Sequence, residues 1–216
     1  VIDVVASPIA ASFVTVSKPQ KKAGCVLANI GAETLSIVVF ENNTPISLEV
    51  FPIGGTDITN DIALGLKIPL EEAESIKLGG VTSTTYPKKK LDEIMLARLS
   101  DMFELIEAHL KKIGRSGLLP AGIILTGGGS GIGTIEDFAK SSLKLPSKVA
   151  QIHFGGEREK GKVKDSIWSV AYGLCIFGFN AEDEGTVPGI GVFAKIIKEI
   201  KQIIKNIGEW FKQFLP

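Results

Sequence analysis

The stretch Val26–Asn43, VLANIGAETLSIVVFENN, decides the fold. It reads as a strand, a tight turn at Gly31, a second strand, and a turn at Asn42 and Asn43. Asn tolerates left-handed backbone, so ENNTP turns the chain into a third strand. That third run alternates, with Ile46, Leu48 and Val50 on one face and Ser47, Glu49 and Phe51 on the other. Three runs, Cys25–Ile30, Thr34–Phe40 and Ile46–Ile53, therefore predict a β-meander. A glycine at the first turn lets bare backbone approach a phosphate. The same turn carries Glu33, whose charge opposes a polyphosphate unless a cation or water intervenes.

Outward from this meander the pattern changes period. Upstream, Val1–Ala6 reads as a short strand, Pro8–Ser17 as a small-residue helix opened by proline, and KPQKK as a basic loop. Downstream, Gly54 and Gly55 break the third strand, and Thr56 or Asp57 caps a helix to about Leu66. Pro69 starts another helix, PLEEAESIK, and GGVTSTTYPKKK is a loop or hairpin. Leu91, Ile94, Met95, Leu99, Met102, Ile106, Leu110 and Ile113 share one face of a long helix, Leu91–Ile113. LLPAGIILTGGGS is an apolar strand ending in three glycines, and TIEDFAKSSL a helix after it. Lys148–His153 is a short strand and Asp165–Phe179 a largely buried helix. Asn180–Gly189, NAEDEGTVPG, has linker composition. Meander, helices, then a strand–glycine–helix step predicts an α/β domain with a helical insertion.

Bulk numbers bound the function. The 216 residues can bury a core unaided. Hydrophobic content of 44% with 22% charged residues is globular composition. A formal net charge of zero gives no global field for nucleic acid. Cys25 and Cys175 both lie in apolar runs, which predicts inert core thiols in a reducing compartment. The chain opens on VIDVVASPIAASF, without methionine or a signal pattern, and reads as a piece of something longer.

The sharpest periodicity is at the end. On a helix, Phe193, Ile196, Ile197, Ile200, Ile203, Ile204, Ile207, Trp210, Phe211, Phe214 and Leu215 fall within an arc of roughly 140°. The polar residues, Lys198, Lys201, Lys205 and Lys212 among them, fill the rest. Five lysines against two glutamates make the segment net positive. Aromatics suit a bilayer interface and lysines suit anionic headgroups, so the helix would lie on a membrane rather than span it. A helix docked on the domain's own core, or on a partner, fits the same pattern.

ILTGGGSGIG opens a helix after a strand, which lets backbone amides approach a ligand. Gly127, Gly128, Gly129 and Ser130 are its candidate contacts. Other sites have less to offer. His109 reads as a solvated helix residue, and His153 has no second ligand nearby. No nucleophile elbow or paired base is visible, and no metal site. Lys88, Lys89 and Lys90 form a solvated run that could take an acidic peptide.

Taken together these motifs resemble the second lobe of the actin/Hsp70/sugar-kinase superfamily (a ribonuclease H-like fold with an inserted α+β subdomain). More closely they resemble the FtsA family of bacterial actin-like cell-division proteins. FPIGGTDITNDIALGLKIPLEEAESIK is similar to that family's segment from the phosphate hairpin into subdomain 2B. KKKLDEIMLARLSDMFELIEAHLKK resembles its long helix, AGIILTGGGSGI its adenosine motif, and WSVAYGLCIFG its closing helix. The resemblance implies residues 1–17 as the end of a first lobe and the interlobe helix. It implies 18–55 and 120–179 as subdomain 2A, 56–119 as subdomain 2B, 180–190 as a linker and 191–216 as an amphipathic membrane-targeting helix.

The superfamily's second phosphate motif runs aspartate-x-glycine-x-x-threonine, and here it reads Asn29-Ile30-Gly31-Ala32-Glu33-Thr34. The resemblance implies a nucleotide site at Asn29, Gly31, Ala32, Glu33, Thr34, Glu74, Lys77 and Gly127–Ser130. It implies ATP with Mg in the longer protein, and doubtful uptake by this chain alone. A neutral amide brings no charge to a hydrated Mg²⁺, which predicts weak turnover at most. Implied partners are the acidic C-terminal peptide of FtsZ, at Lys88–Lys90, Arg98 and Asp101, further copies in a filament, anionic lipids and other division proteins. The implied location is the cytoplasmic face of the bacterial membrane at the division site. A type IV pilus platform protein and the second lobe of an ATPase or phosphotransferase are the alternative readings.

Overall fold

The computed structural model describes residues 4–80, 86–152 and 166–183. The chain divides into two compact units, Val1–Leu174 and Cys175–Pro216.

The first unit is built on a five-stranded sheet. Strands β1 (Cys25–Ile30), β2 (Leu35–Glu41) and β3 (Thr44–Phe51) form the predicted meander. Asn42 and Asn43 both adopt left-handed backbone, φ 50° and 65°, at the β2–β3 turn. β4 (Ile123–Thr126) then inserts beside β1 in parallel, and β5 (Ser147–Val149) beside β4, giving the order β3-β2-β1-β4-β5.

Alternation sorts the strands onto two faces. Val26, Ala28, Ile30, Leu35, Ile37, Val39, Ile123 and Leu125 pack into one core. The helices on that side are α3 (Gly55–Leu66), α4 (Leu70–Lys77), α5 (Lys88–Lys112) and α6 (Ile135–Leu143). Cys25, Leu27, Val38, Phe40 and Ile124 face the other way, toward Ala11 and Val16. That side is covered by α1 (Ser7–Thr15). Strands covered on both faces are apolar throughout, which is why CVLANI and LSIVVF show no polar period. α5 buries Leu91, Met95, Leu99, Met102, Ile106 and Leu110 of the stripe expected from the spacing, with Ile94 and Ile113 partly buried, and it buries Phe103 as well.

Several expectations need correction. Val4–Ala6 are not a strand but lead directly into α1. KPQKK is not a loop: Lys18–Ala23 form a short helix, α2, nucleated by a capping box between Ser17 and Gln20. Helix α3 starts at Gly55, and Asp57 acts from its first turn by accepting the Gly54 amide at 2.7 Å. Lys88–Lys90 make the exposed first turn of α5. Ser47, Glu49 and Phe51 are the face of β3 turned to the helices, and Ile46, Leu48 and Val50 are exposed. His109 is not solvated. It is buried, its Nε2 lies 2.8 Å from the Ser47 hydroxyl, its Nδ1 lies 3.5 Å from the Glu49 carboxylate, and its ring meets Phe51 edge-on.

Cys25 is a buried thiol whose pKa is pushed up to about 11 by burial, as an inert core residue should be. Cys175 is exposed instead. It lies on α7 (Ser169–Asp183), which runs four residues into the stretch expected to be linker. The described part of the second unit is the end of this helix. His153 and the amphipathic segment 193–215 lie outside the described residues. Among the described residues, no helix is long and apolar enough to cross a membrane.

Candidate functional site

The two glycine turns meet. β1 and β4 are parallel neighbours, with Asn29 opposite Thr126, so the turns that follow them open at the same end of the sheet. A Cβ on Gly127 would lie 2.4 Å from the Ile30 carbonyl and 2.5 Å from Asn29 Oδ1, and its φ is +87°. Only glycine permits both the approach and the backbone. After it, Gly128–Gly131 wind into a single 3₁₀ turn in which Ser130 is buried and its hydroxyl donates to the Gly127 carbonyl at 2.7 Å.

Ser166, a residue the sequence does not advertise, clasps this turn. Its hydroxyl lies 2.8 Å from that of Ser130 and 3.1 Å from the Gly127 carbonyl. Its own carbonyl accepts the Gly127 amide at 3.2 Å and the Thr126 hydroxyl at 3.3 Å. These contacts join residues almost forty positions apart, so no local spacing announces them.

The hairpin tip is tied to α3. Gly31 donates to the Thr34 carbonyl at 2.8 Å, closing the turn, and Ala32, Glu33 and Thr34 stand exposed. The amides of Gly55 and Thr56 donate to the carbonyls of Gly31 and Ala32, each at 2.8 Å. A Cβ on Gly54 would lie 2.3 Å from the Ala32 carbonyl, so this junction also needs glycine. The first amides of α3, the usual anion receptors of a helix start, are therefore spent on the hairpin itself.

Asn29 is half-buried beside Gly127, and its amide donates to the Ser36 hydroxyl at 3.5 Å. It offers no charge. Among the described residues no group of three His, Cys, Asp or Glu side chains could hold a metal. The two glycine turns thus form a cradle of bare backbone, and the position of Asn29 brings no carboxylate to it.

Glu74 and Lys77, expected at the nucleoside side, sit against the first turn of α3. Lys77 is buried and donates to the Gly55 carbonyl at 3.1 Å, to the Thr59 hydroxyl at 2.9 Å and to Glu74 Oε2 at 2.6 Å. Burial alone works to raise the Glu74 carboxyl. Hydrogen bonds from Lys77 and Thr59, with the Lys77 charge, outweigh it and hold the group below the ordinary glutamate range. The structure brings these residues together with the hairpin and the glycine turn: a Cβ on Gly55 would lie 3.5 Å from Lys77 Nζ and 4.0 Å from the Gly129 Cα.

The second candidate surface lies along α5. Arg98 on α5 forms a two-pronged bond to Asp61 on α3, at 2.7 and 3.1 Å, and reaches Asp101 at 3.3 Å. Its guanidinium already has two carboxylate partners. Lys88–Lys90 lie more than two turns earlier on α5, exposed, with Lys89 within 3.9 Å of Glu93.

The family model for "Cell division protein FtsA" matches residues 26–173. The chain is 27% identical over 204 residues to the cell division protein FtsA of Pseudomonas aeruginosa, covering 85% of this chain and 49% of that protein. It is 28% identical over 222 residues to that of Bacillus subtilis, covering 93% and 49%. It spans about half the length of these curated relatives. Among solved structures, it is similar to a chain of the PilM-PilN type IV pilus biogenesis complex, with TM-score 0.66 at 20% identity over 82% of this chain and 53% of that one. MreB5 of Spiroplasma citri bound to ADP gives TM-score 0.65 at 17% identity over 84% and 61%. At these identities the structural likeness establishes the actin-like fold alone.

Proposed function

Because the chain belongs to the FtsA family of cell division proteins, we propose that it is the second, nucleotide-facing lobe of an actin-like division adaptor. In this reading the longer protein holds FtsZ filaments against the inner face of the cytoplasmic membrane and assembles into filaments of its own. The observation that carries it is the meeting of the Gly31 hairpin with the Gly127–Gly129 turn inside a chain matched over residues 26–173 by the division family.

Nucleotide binding follows from the cradle. Gly31 with the exposed tip Ala32–Thr34 would face phosphates, Gly127–Ser130 the nucleoside, and Glu74 the sugar or base. MreB5, a protein of the same fold, was solved bound to ADP and to AMPPNP. A nucleotide supplies phosphate charge and, with Mg²⁺, a bond whose cleavage could act as a timer. No catalytic step is assigned to this lobe: Asn29 brings no charge and Glu33 opposes it. Subdomain 2A would comprise 18–55 and 120–179, and 2B 56–119. An acidic FtsZ peptide would bind along α5, with Lys88–Lys90 as its exposed cations and the partly buried, already paired Arg98 in a lesser role.

The membrane part of the proposal rests on the sequence of 193–215, whose apolar arc ends in Trp210, Phe211 and Phe214 against a lysine-rich remainder. It is tested by sedimenting the chain with phosphatidylglycerol-containing vesicles beside a version ending at Gly189. The intact chain alone should pellet, less so as salt rises. Equal behaviour of the two would remove the tail from the membrane reading.

A further inference from the structure

Lys77 has no hydrogen bond left to give. An ammonium carries three donors, and these go to Gly55, Thr59 and Glu74 within a site where the side chain is 5% exposed. Thr59 stands between the partners. Its hydroxyl accepts from Lys77, so its single proton goes to Glu74 Oε2, 2.5 Å away, or to the Gly55 carbonyl at 3.1 Å. The shorter contact, to a carboxylate, is the stronger acceptor. Glu74 itself is half exposed at 49%, with Oε2 engaged twice. Gly55 and Thr56 meanwhile donate to the hairpin carbonyls. Hydrogen bonds thus run without a break from the hairpin tip, through the first turn of α3, to the Glu74 carboxylate on α4.

We propose that Thr59 is a positioning residue of the nucleotide site, holding Lys77 and Glu74 Oε2 against the first turn of α3. Lys77 then acts as a buried brace rather than as a ligand contact, and Glu74 meets a ligand with its other oxygen, Oε1. This rests on the nucleotide reading above. The hydroxyl is suited to the task because it is the one group in the cluster that both accepts and donates. Removing it leaves Lys77 an unmatched donor and frees the carboxylate to turn. Propensity gives no reason for a threonine here, since β-branched residues are mediocre inside helices, and its hydroxyl bonds back to the carbonyl four residues earlier.

Two variants test it. Thr59→Val keeps the shape without the hydroxyl, and Thr59→Ser keeps the hydroxyl. The first readout is the Glu74 carboxyl titration, followed by ¹³C NMR in the 216-residue chain. The second is fluorescence binding of etheno-ATP as a function of pH. In Thr59→Val the Glu74 midpoint should rise toward the ordinary glutamate value, and etheno-ATP binding should weaken by about 3- to 10-fold, on the scale of one lost hydrogen bond to a charged group. The loss of binding in acid should also begin at a higher pH. Thr59→Ser should restore all three. Unchanged titration and affinity in Thr59→Val overturn the proposal, as does an equal loss in both variants. A wild-type chain that takes up no etheno-ATP even with the first lobe supplied overturns the nucleotide reading instead, and the Glu74 titration then decides the role of Thr59 alone.

Discussion

Gly127 carries two constraints at once, a left-handed backbone and a carbonyl where a side chain would begin. Gly127→Ala should therefore destabilise the chain by about 2 kcal/mol or more, and by a larger margin than Gly133→Ala, where a Cβ meets open space; urea unfolding of both variants measures it. His109 makes a different case. Replacing it by leucine leaves Ser47 and Glu49 without their partner under a packed helix, and should cost about 1–2 kcal/mol in the same assay. Glu74 sets a pH dependence. Its carboxyl titrates lower in the folded chain than in an unfolded one. Its contribution to stability is then complete above the unfolded glutamate value of roughly 4.3 and is lost as pH falls through the lower folded value. Thr59→Val should narrow that pH range from below, visible as a lower thermal stability at neutral pH that depends less on pH in acid. At this scale the sequence was informative where a residue's own backbone is the signal: Gly31, Gly54 and Gly127 announce turns unaided. It was silent about Thr59 and Ser166, whose importance lies in partners brought close only by folding. It misled at His109, because a helix with many charges still has a buried face.

Among the elements, α3 is held from two sides. Its first turn is fastened to the hairpin and to Lys77, and Asp61, later on the same helix, grips Arg98 of α5. Both members of that pair are about a third exposed, so Arg98→Ala should cost only about 1 kcal/mol despite its two-pronged geometry. Leu99, the next residue, is fully buried, and Leu99→Ala should cost about 3 kcal/mol. Denaturant midpoints of the two variants separate an ion-pair clamp from a packing core. Helix and strand positions were legible because each period persisted over several turns, as in the Leu91–Ile113 stripe. The orientation of β3 was not. Its alternation is plain, but an edge strand can turn either face inward, and the Ser47 and Glu49 side was selected by a histidine 62 residues beyond Ser47. The small helix α2 was missed for a similar reason: KPQKK is polar throughout, and only the reciprocal bonds of Ser17 and Gln20 start it.

At the scale of the molecule, the meander β1-β2-β3 and a separate strand–glycine–helix step could be read from the pattern of elements, and the sheet joins them in the order β3-β2-β1-β4-β5. What no local pattern could give is that β4 lies against β1, closing the site between two turns remote in sequence. That pairing has a consequence for synthesis. β1, β2 and β3 join neighbours a few residues away and can zip together as soon as they leave the ribosome, whereas Val26 must wait for Ile123. Until then β1 presents an apolar, unpaired margin, the kind of surface on which nascent chains stick to one another. The three helices made in the interval, α3 to α5, can cover one face of the young sheet but cannot close its edge. Translation paused before residue 123 should hold the chain in its most chaperone-dependent form, and release beyond β5 should end that dependence.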